Sequence, residues 1–218
     1  NINILKVDKD DNKTTIEGVE FDLLDSTGKN IIKHVKTDKN GKAEIKNLDI
    51  GKYILRETKT RKEYKIALEQ NITIEWGKTL NLTIENEKMK GKVKITKISE
   101  DDNLITGEVA GTPIANVKFE IYDDSGKLVD TLITKADGIA ISKDLVVGKY
   151  IVKEKETGEY YEINENDFEV EITKNGEVVG LTISNKSKTP PPEKPKEETP
   201  KIEVPPIEPI KKLPVTGY

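Results

Sequence analysis

Apolar and polar residues alternate over short stretches along most of the chain, which is the pattern of half-buried β-strands. No stretch shows the spacing of an amphipathic helix. In the first half of the chain these stretches are separated by turn residues, and they lie near residues 2–8, 17–24, 31–36, 42–46, 52–58, 70–75 and 79–86. The pattern predicts an all-β fold in which short strands form an antiparallel sandwich.

The same pattern then occurs a second time. The stretch Gly51–Glu57, which reads GKYILRE, returns at Gly148–Glu154 as GKYIVKE, and Phe21 has an equivalent in Phe119. The spacing between equivalent residues changes along the chain, which predicts an insertion in the second copy near residues 108–113. Because 218 residues suffice for two small domains but not for one large core, we predict tandem immunoglobulin-like sandwiches at residues 1–88 and 89–187.

Three polar residues occupy core positions in each copy. Lys6 lies in the apolar phase of the opening strand, Glu57 in that of the repeated GKYILRE strand, and Asn86 in that of the closing strand. The second copy repeats the set as Lys97, Glu154 and Asn185. Buried charges are costly unless they are paired, so each set is expected to lie together. From alternation alone, a buried Lys–Glu ion pair with Asn as hydrogen-bond partner is one interpretation.

These residues resemble those of Cna B-type repeats, the SpaA-like, prealbumin-like domains of Gram-positive pilins and adhesins. The resemblance covers roughly residues 1–187, and it implies a second interpretation. In that family the Lys and the Asn form an isopeptide bond with help from the Glu. The resemblance therefore implies bonds from Lys6 to Asn86 and from Lys97 to Asn185, with Glu57 and Glu154 as proton shuttles. This chemistry is single-turnover and acts on the chain itself, so the resemblance does not imply an enzyme.

The composition changes abruptly after residue 187. Residues 188–212 are rich in proline and charge, which favours an extended polyproline II spacer over a core. The spacer is followed, at residues 213–218, by a short motif that resembles the LPxTG signal of sortase substrates; its residues are Leu213, Pro214, Val215, Thr216 and Gly217. The resemblance implies that a sortase cleaves between Thr216 and Gly217.

Charge and composition exclude several function classes. The net charge is −4 with both signs interspersed, so the chain has no basic surface for nucleic acid. It has no cysteine, and its one histidine, His34, has no second ligand beside it, so we expect neither a metal site nor a cofactor. The acidic stretch Asp8–Asn12 lacks the glycine and glutamate of an EF-hand, and we interpret it as a solvated turn.

Together the motifs and the resemblance imply a secreted surface protein that is covalently attached to the cell wall or built into a pilus. A minor, basal-type pilin is the function we favour, and the stalk of a monomeric cell-wall-anchored adhesin with an upstream binding domain is the alternative. The implied partners are a sortase and either a peptidoglycan precursor or a neighbouring pilin subunit. A host extracellular-matrix protein is a further candidate. No apolar run is long enough to cross a bilayer, so we expect membrane contact only through a C-terminal segment beyond Tyr218.

Overall fold

The computed structural model describes residues 1–190, and within that range the chain forms fifteen β-strands and no helix. The first seven strands are β1 (Ile2–Asp8), β2 (Glu20–Asp25), β3 (Ile31–Lys36), β4 (Lys42–Ile45), β5 (Gly51–Lys59), β6 (Gln70–Ile74) and β7 (Leu80–Asn86). The other eight are β8 (Lys90–Ser99), β9 (Lys118–Asp123), β10 (Leu128–Ile133), β11 (Ile139–Ile141), β12 (Leu145–Val146), β13 (Gly148–Glu156), β14 (Asp167–Ile172) and β15 (Val178–Asn185). No helix among residues 1–190 is long and apolar enough to cross a membrane.

The strands form two sandwiches, one for each copy of the repeat. In the first, a sheet of order β4-β1-β7 packs against a sheet of order β3-β2-β5-β6. In the second, β8 pairs with β11, β12 and β15, and this sheet packs against one of order β10-β9-β13-β14. The predicted fold class, two tandem prealbumin-like β-sandwiches, is confirmed. The predicted proline-rich tail lies outside the described residues from position 191 onward.

Each sandwich encloses its own apolar core, which comes from the inward-facing residues of both sheets. In the first copy Ile4 on β1 faces Phe21 on β2 and Leu55 on β5, and all three are at most 2% exposed. The corresponding residues of the second copy are Ile95, Phe119 and Val152. Alternate residues of β8 are buried along its whole length, as the period of two requires.

The first and last strands of each copy lie side by side and run in the same direction. β1 pairs in parallel with β7 and β8 with β15, while the other pairings between strands are antiparallel. The alternation of a strand does not encode its direction, so these two parallel pairs could not be read from the pattern. The parallel register places Lys6 opposite Ile84 and Asp8 opposite Asn86.

One loop accounts for most of the difference in length between the copies. In the first copy residues 9–14 connect the end of β1 to Thr15, which forms an antiparallel bridge with Val7 of β1. In the second copy residues 100–112 connect the end of β8 to Pro113, which forms the equivalent bridge with Ile98 of β8. The loop of the second copy therefore has thirteen residues where the first has six, and the strands around it keep their places.

Candidate functional site

The two parallel strand pairs bring the polar core residues together. Lys6 on β1 and Asn86 on β7 belong to neighbouring strands of one sheet, and both side chains point into the sandwich. Glu57 lies on β5 of the opposite sheet and points back towards them. The three side chains therefore meet in the core, and none of the three residues is more than 5% exposed.

In the first copy the three side chains form a closed set of contacts. Lys6 Nζ donates a hydrogen bond to Asn86 Oδ1 at 2.5 Å and lies 2.9 Å from Glu57 Oε2. Asn86 Nδ2 donates to Glu57 Oε1, also at 2.5 Å. The amine thus lies beside the Asn amide, while the carboxyl group contacts both the amine and the amide nitrogen.

The second copy repeats this arrangement. Lys97 Nζ donates to Asn185 Oδ1 and lies 2.9 Å from Glu154 Oε2, and Asn185 Nδ2 donates to Glu154 Oε1 at 2.6 Å. The copies differ at one carboxylate oxygen. The backbone N–H of Ala67 donates to Glu57 Oε2 at 3.4 Å, whereas Glu154 Oε2 has only its ion pair with Lys97 and no well-aligned hydrogen bond within residues 1–190.

Burial changes the chemistry of the two lysines. Loss of solvation lowers the pKa of Lys6 and of Lys97, and the hydrogen bond to the neighbouring glutamate opposes this change without cancelling it. The ring of Phe21 lies 5.9 Å from Lys6 Nζ, and Phe119 lies at the same distance from Lys97 Nζ. A lysine with a lowered pKa supplies more of the neutral amine, which is the nucleophilic form.

A tight turn beside β1 in the first copy and beside β8 in the second fixes the backbone of each lysine. Lys6 N donates to Gly41 O at 2.8 Å, and Lys97 N donates to Gly138 O at the same distance. Both glycines have φ of 70°, and a Cβ on Gly41 would lie 2.5 Å from Lys6 O. Only glycine permits this conformation and this approach together, so the turn is part of what positions the amine.

Sequence reasoning missed a hydroxyl group in each site. Asn86 Nδ2 also donates to Thr60 Oγ1 at 2.8 Å, and Asn185 Nδ2 donates to Thr157 Oγ1 at 2.9 Å. Each threonine lies three residues after the glutamate of its copy. The signal was therefore present as a repeated Glu-x-x-Thr, but the threonines lie beyond the alternating part of the strand.

Asp8 does not lie in a solvated turn, contrary to the interpretation from sequence. It ends β1 with no solvent exposure, where Tyr64 Oη donates to Asp8 Oδ2 at 2.7 Å and Lys88 Nζ lies 2.8 Å from the same oxygen. Asp10 and Asp11, which follow it, are exposed as expected. His34 is exposed on β3 beside Asp22, and residues 213–217 of the sorting-type motif lie outside the described residues.

Comparison with known proteins agrees with this architecture. The SpaA prealbumin-like fold domain matches the chain twice, at residues 1–88 and 91–187. Over 81 residues the chain is 33% identical to the trypsin-resistant surface T6 protein of Streptococcus pyogenes serotype M6, covering 37% of this chain and 15% of that protein. Over 99 residues it is 34% identical to the collagen adhesin of Staphylococcus aureus, covering 39% of this chain and 8% of that protein.

A solved structure gives a longer match. The Bacillus anthracis TIE protein superimposes with a TM-score of 0.72 at 33% identity, over 85% of this chain and 34% of that one. The chain thus spans about a third or less of the length of each of these three proteins. Because the family match covers both sandwiches, the chain belongs to the SpaA prealbumin-like fold domain family, which it contains in two tandem copies.

Proposed function

We propose that this chain is a stiff segment of a Gram-positive cell-surface protein, closed in each copy by a Lys–Asn isopeptide bond. The observation that carries the proposal is the buried contact of Lys6, Glu57 and Asn86, repeated by the second copy. A minor, basal-type pilin subunit is the form of this function that we favour. An ion pair would need only the lysine and the glutamate. The asparagine places an amide against the lysine amine, which is the arrangement that isopeptide formation requires.

The proposed reaction exchanges one amine for another at the Asn side chain. Neutral Lys6 Nζ attacks Asn86 Cγ and forms a C–N bond. Glu57 accepts the proton that the amine loses and passes a proton to Asn86 Nδ2, after which the Cγ–Nδ2 bond breaks and ammonia leaves. Lys97, Glu154 and Asn185 do the same in the second copy. Each site reacts once, on its own chain, so the protein is a structural protein and not an enzyme.

The position of the bond explains its mechanical use. Lys6 and Asn86 are 80 residues apart in sequence but lie on adjacent strands, and the second pair is separated by 88 residues. By analogy with disulfide loops of this length, each bond would stabilise its domain by about 4–5 kcal/mol through the unfolded chain. Tension between the termini of a copy would pass through the bond from β1 to β7, and the strands between them would carry almost none.

Force measurement on single molecules tests this function. In the wild-type chain neither sandwich should extend as an unfolding step, because the bond encloses nearly the whole domain. The Asn86→Ala variant keeps the buried Lys6–Glu57 pair but cannot form the bond, so copy one should add a step of about 280 Å, at roughly 3.5 Å for each released residue.

The matched control is Asn81→Ala, which removes an exposed asparagine from the same strand and should leave copy one inextensible. An unfolding step of full length in the wild-type chain would contradict the proposal.

We propose that the protein is secreted and covalently attached to the cell wall or the pilus through residues 213–217. A sortase would cleave between Thr216 and Gly217 and join Thr216 to an amine of a peptidoglycan precursor or of a neighbouring pilin subunit. The names of two relatives, a surface protein and an adhesin, support a cell-surface location.

The alternative is the stalk of a monomeric adhesin whose binding domain lies upstream. The similarity to a collagen adhesin supports this alternative, and it makes a host extracellular-matrix protein a candidate partner of the whole protein. The genetic neighbourhood distinguishes the two functions. A gene for a pilin-class sortase beside this one favours the pilin, and its absence favours the adhesin stalk.

A further inference from the structure

We propose that Thr60 and Thr157 are positioning residues for isopeptide formation, each holding the amide nitrogen that leaves as ammonia. This inference rests on the proposed function, since it assigns a further role within the same two sites. Neither threonine belongs to the alternating part of a strand or to the set of Lys, Glu and Asn.

The contact is the same in both copies although the sequence around it is not. Thr60 Oγ1 accepts from Asn86 Nδ2 at 2.8 Å, and Thr157 Oγ1 accepts from Asn185 Nδ2 at 2.9 Å. The two residues between the glutamate and the threonine are Thr-Lys in the first copy and Lys-Glu in the second, and all four are exposed. Each threonine is half-buried, and in each copy the strand pairing shifts register just before it, between Glu57 and Lys59 and between Glu154 and Glu156.

The hydrogen-bond inventory of the Asn side chain shows what the threonine adds. A primary amide has two N–H donors and one carbonyl acceptor. In the first copy the acceptor Oδ1 faces Lys6 Nζ, one donor faces Glu57 Oε1 and the other faces Thr60 Oγ1. Without the hydroxyl group one N–H of the buried Asn86 would lose its partner, and the amide would be held by two contacts instead of three.

This third contact matters most after the amine has attacked. Asn86 Nδ2 then becomes a tetrahedral amine that can rotate about its bond to Cγ, and it must take a proton on its lone pair to leave as ammonia. A hydrogen bond from one N–H to Thr60 Oγ1 limits that rotation and keeps the lone pair directed at Glu57. Rotation away from Glu57 would favour the reverse step, in which the Lys6 amine is expelled and the amide re-forms.

The test follows bond formation in the full chain during cell-free synthesis. Aliquots are taken over time, and each is divided between two measurements. Brief proteolysis measures the folded fraction of copy one, and mass spectrometry of a digest measures the peptide in which Lys6 is joined to Asn86. The interval between folding and cross-linking is the quantity of interest, because a purely structural role would delay both steps together.

Thr60→Val should lengthen that interval about tenfold, the factor expected from one hydrogen bond of ordinary strength, while the folding time stays the same. Thr60→Ser should restore the wild-type interval because it keeps the hydroxyl group. Thr58→Val is the matched control, since Thr58 is exposed near the end of β5 and its hydroxyl group donates to Glu20 O and not to Asn86. The Lys97–Asn185 cross-link of the same molecules should be unaffected, and Thr157→Val should give the reverse result.

Three results would overturn the inference. If Thr60→Val cross-links as fast after folding as the wild-type chain, the hydroxyl group has no positioning role. If the variant delays protease protection and cross-linking equally, the threonine acts only on folding. If the wild-type chain folds but forms no cross-link at all, the proposed function itself is wrong, and the positioning role falls with it.

Discussion

Lys6 and Lys97 have no solvent-exposed surface, yet each ends in an amine whose charged form needs compensation. The compensation comes from one carboxyl group and one amide oxygen in each copy. A permanently ionised pair in this position would be a weak source of stability, because desolvation offsets most of its attraction. Conversion of the lysine and the asparagine into a neutral amide, with ammonia leaving and the remaining proton on the glutamate, would remove both buried charges, which gives the covalent arrangement a physical advantage over the ion pair.

Asp8 provides a prediction that separates the two copies. Burial by itself would raise the pKa of Asp8, but hydrogen bonds from Lys88 and Tyr64 overcome this and lower the pKa to about 2 from an ordinary value of 3.8. A depressed pKa in the folded state contributes stability above the unfolded value, and that contribution is lost as the pH falls through the folded value. The second copy has Ser99 at this position and lacks the contribution.

We expect Asp8→Asn to lower the unfolding free energy of copy one near neutral pH by roughly 1–3 kcal/mol. The difference from the wild-type chain should shrink as the pH falls from about 4 to about 2. Calorimetry of both chains over this range measures it, with the melting of copy two as an internal reference. Asp49→Asn, at an exposed loop position, is the control. A difference that stays constant over that range would show that the contacts with Lys88 and Tyr64 do not lower the pKa of Asp8.

The sequence predicted single residues well where they belong to an alternating strand. Lys6, Glu57 and Asn86 share the phase of apolar neighbours, and the structure buries all three. Asp8 continues the phase of Lys6 and is also buried, but the acidic residues after it suggested a solvated turn. Thr60 lies past the last alternating position and after a register shift that follows Glu57, and the pattern does not encode that shift.

At the scale of the elements, the strands were easier to predict than their partners. β3 and β5 lie within one residue of the predicted positions at each end, because their alternation is bounded by turn residues. β2 begins at Glu20, three residues later than predicted. The parallel pairing of β1 with β7 could be known only from the structure, since two strands far apart in sequence can pair in either direction.

The turn that supports β1 gives a prediction at this scale. Gly41 and Gly77 both have φ near 70°, so alanine at either position should cost roughly 1–2 kcal/mol of backbone strain. A Cβ at Gly41 would also meet Lys6 O at 2.5 Å and Thr15 Cβ at 2.9 Å, whereas at Gly77 it would meet nothing within 4 Å. Gly41→Ala should therefore destabilise copy one clearly more than Gly77→Ala and slow its cross-linking.

Thermal melting of the two variants, together with the mass of each after synthesis, measures both effects. Equal melting temperatures for Gly41→Ala and Gly77→Ala would mean that a Cβ at position 41 has no steric conflict with the backbone of Lys6. In that case the position of the amine would depend on β1 pairing alone.

At the scale of the whole molecule, the two sandwiches and residues 188–218 have separate tasks in the proposed function. Incubation of the chain with a sortase and an amine nucleophile should release Gly217–Tyr218 and leave Thr216 joined to the amine, because the thiolate of a sortase attacks the Thr216 carbonyl. Thr216→Ala should block the reaction, and Thr199→Ala, in the proline-rich spacer, should not. A product that retains Gly217, or cleavage within residues 188–212, would contradict the proposed anchoring.

The intact mass of the purified chain tests the central claim most directly. Each isopeptide bond removes one ammonia, so the wild-type chain should be lighter than its sequence mass by two ammonia molecules. Glu57→Ala should be lighter by one only, with the remaining bond between Lys97 and Asn185, whereas Glu44→Ala, at an exposed position on β4, should still lose two. A wild-type mass equal to the sequence mass would contradict the covalent account and leave two buried ion pairs in its place.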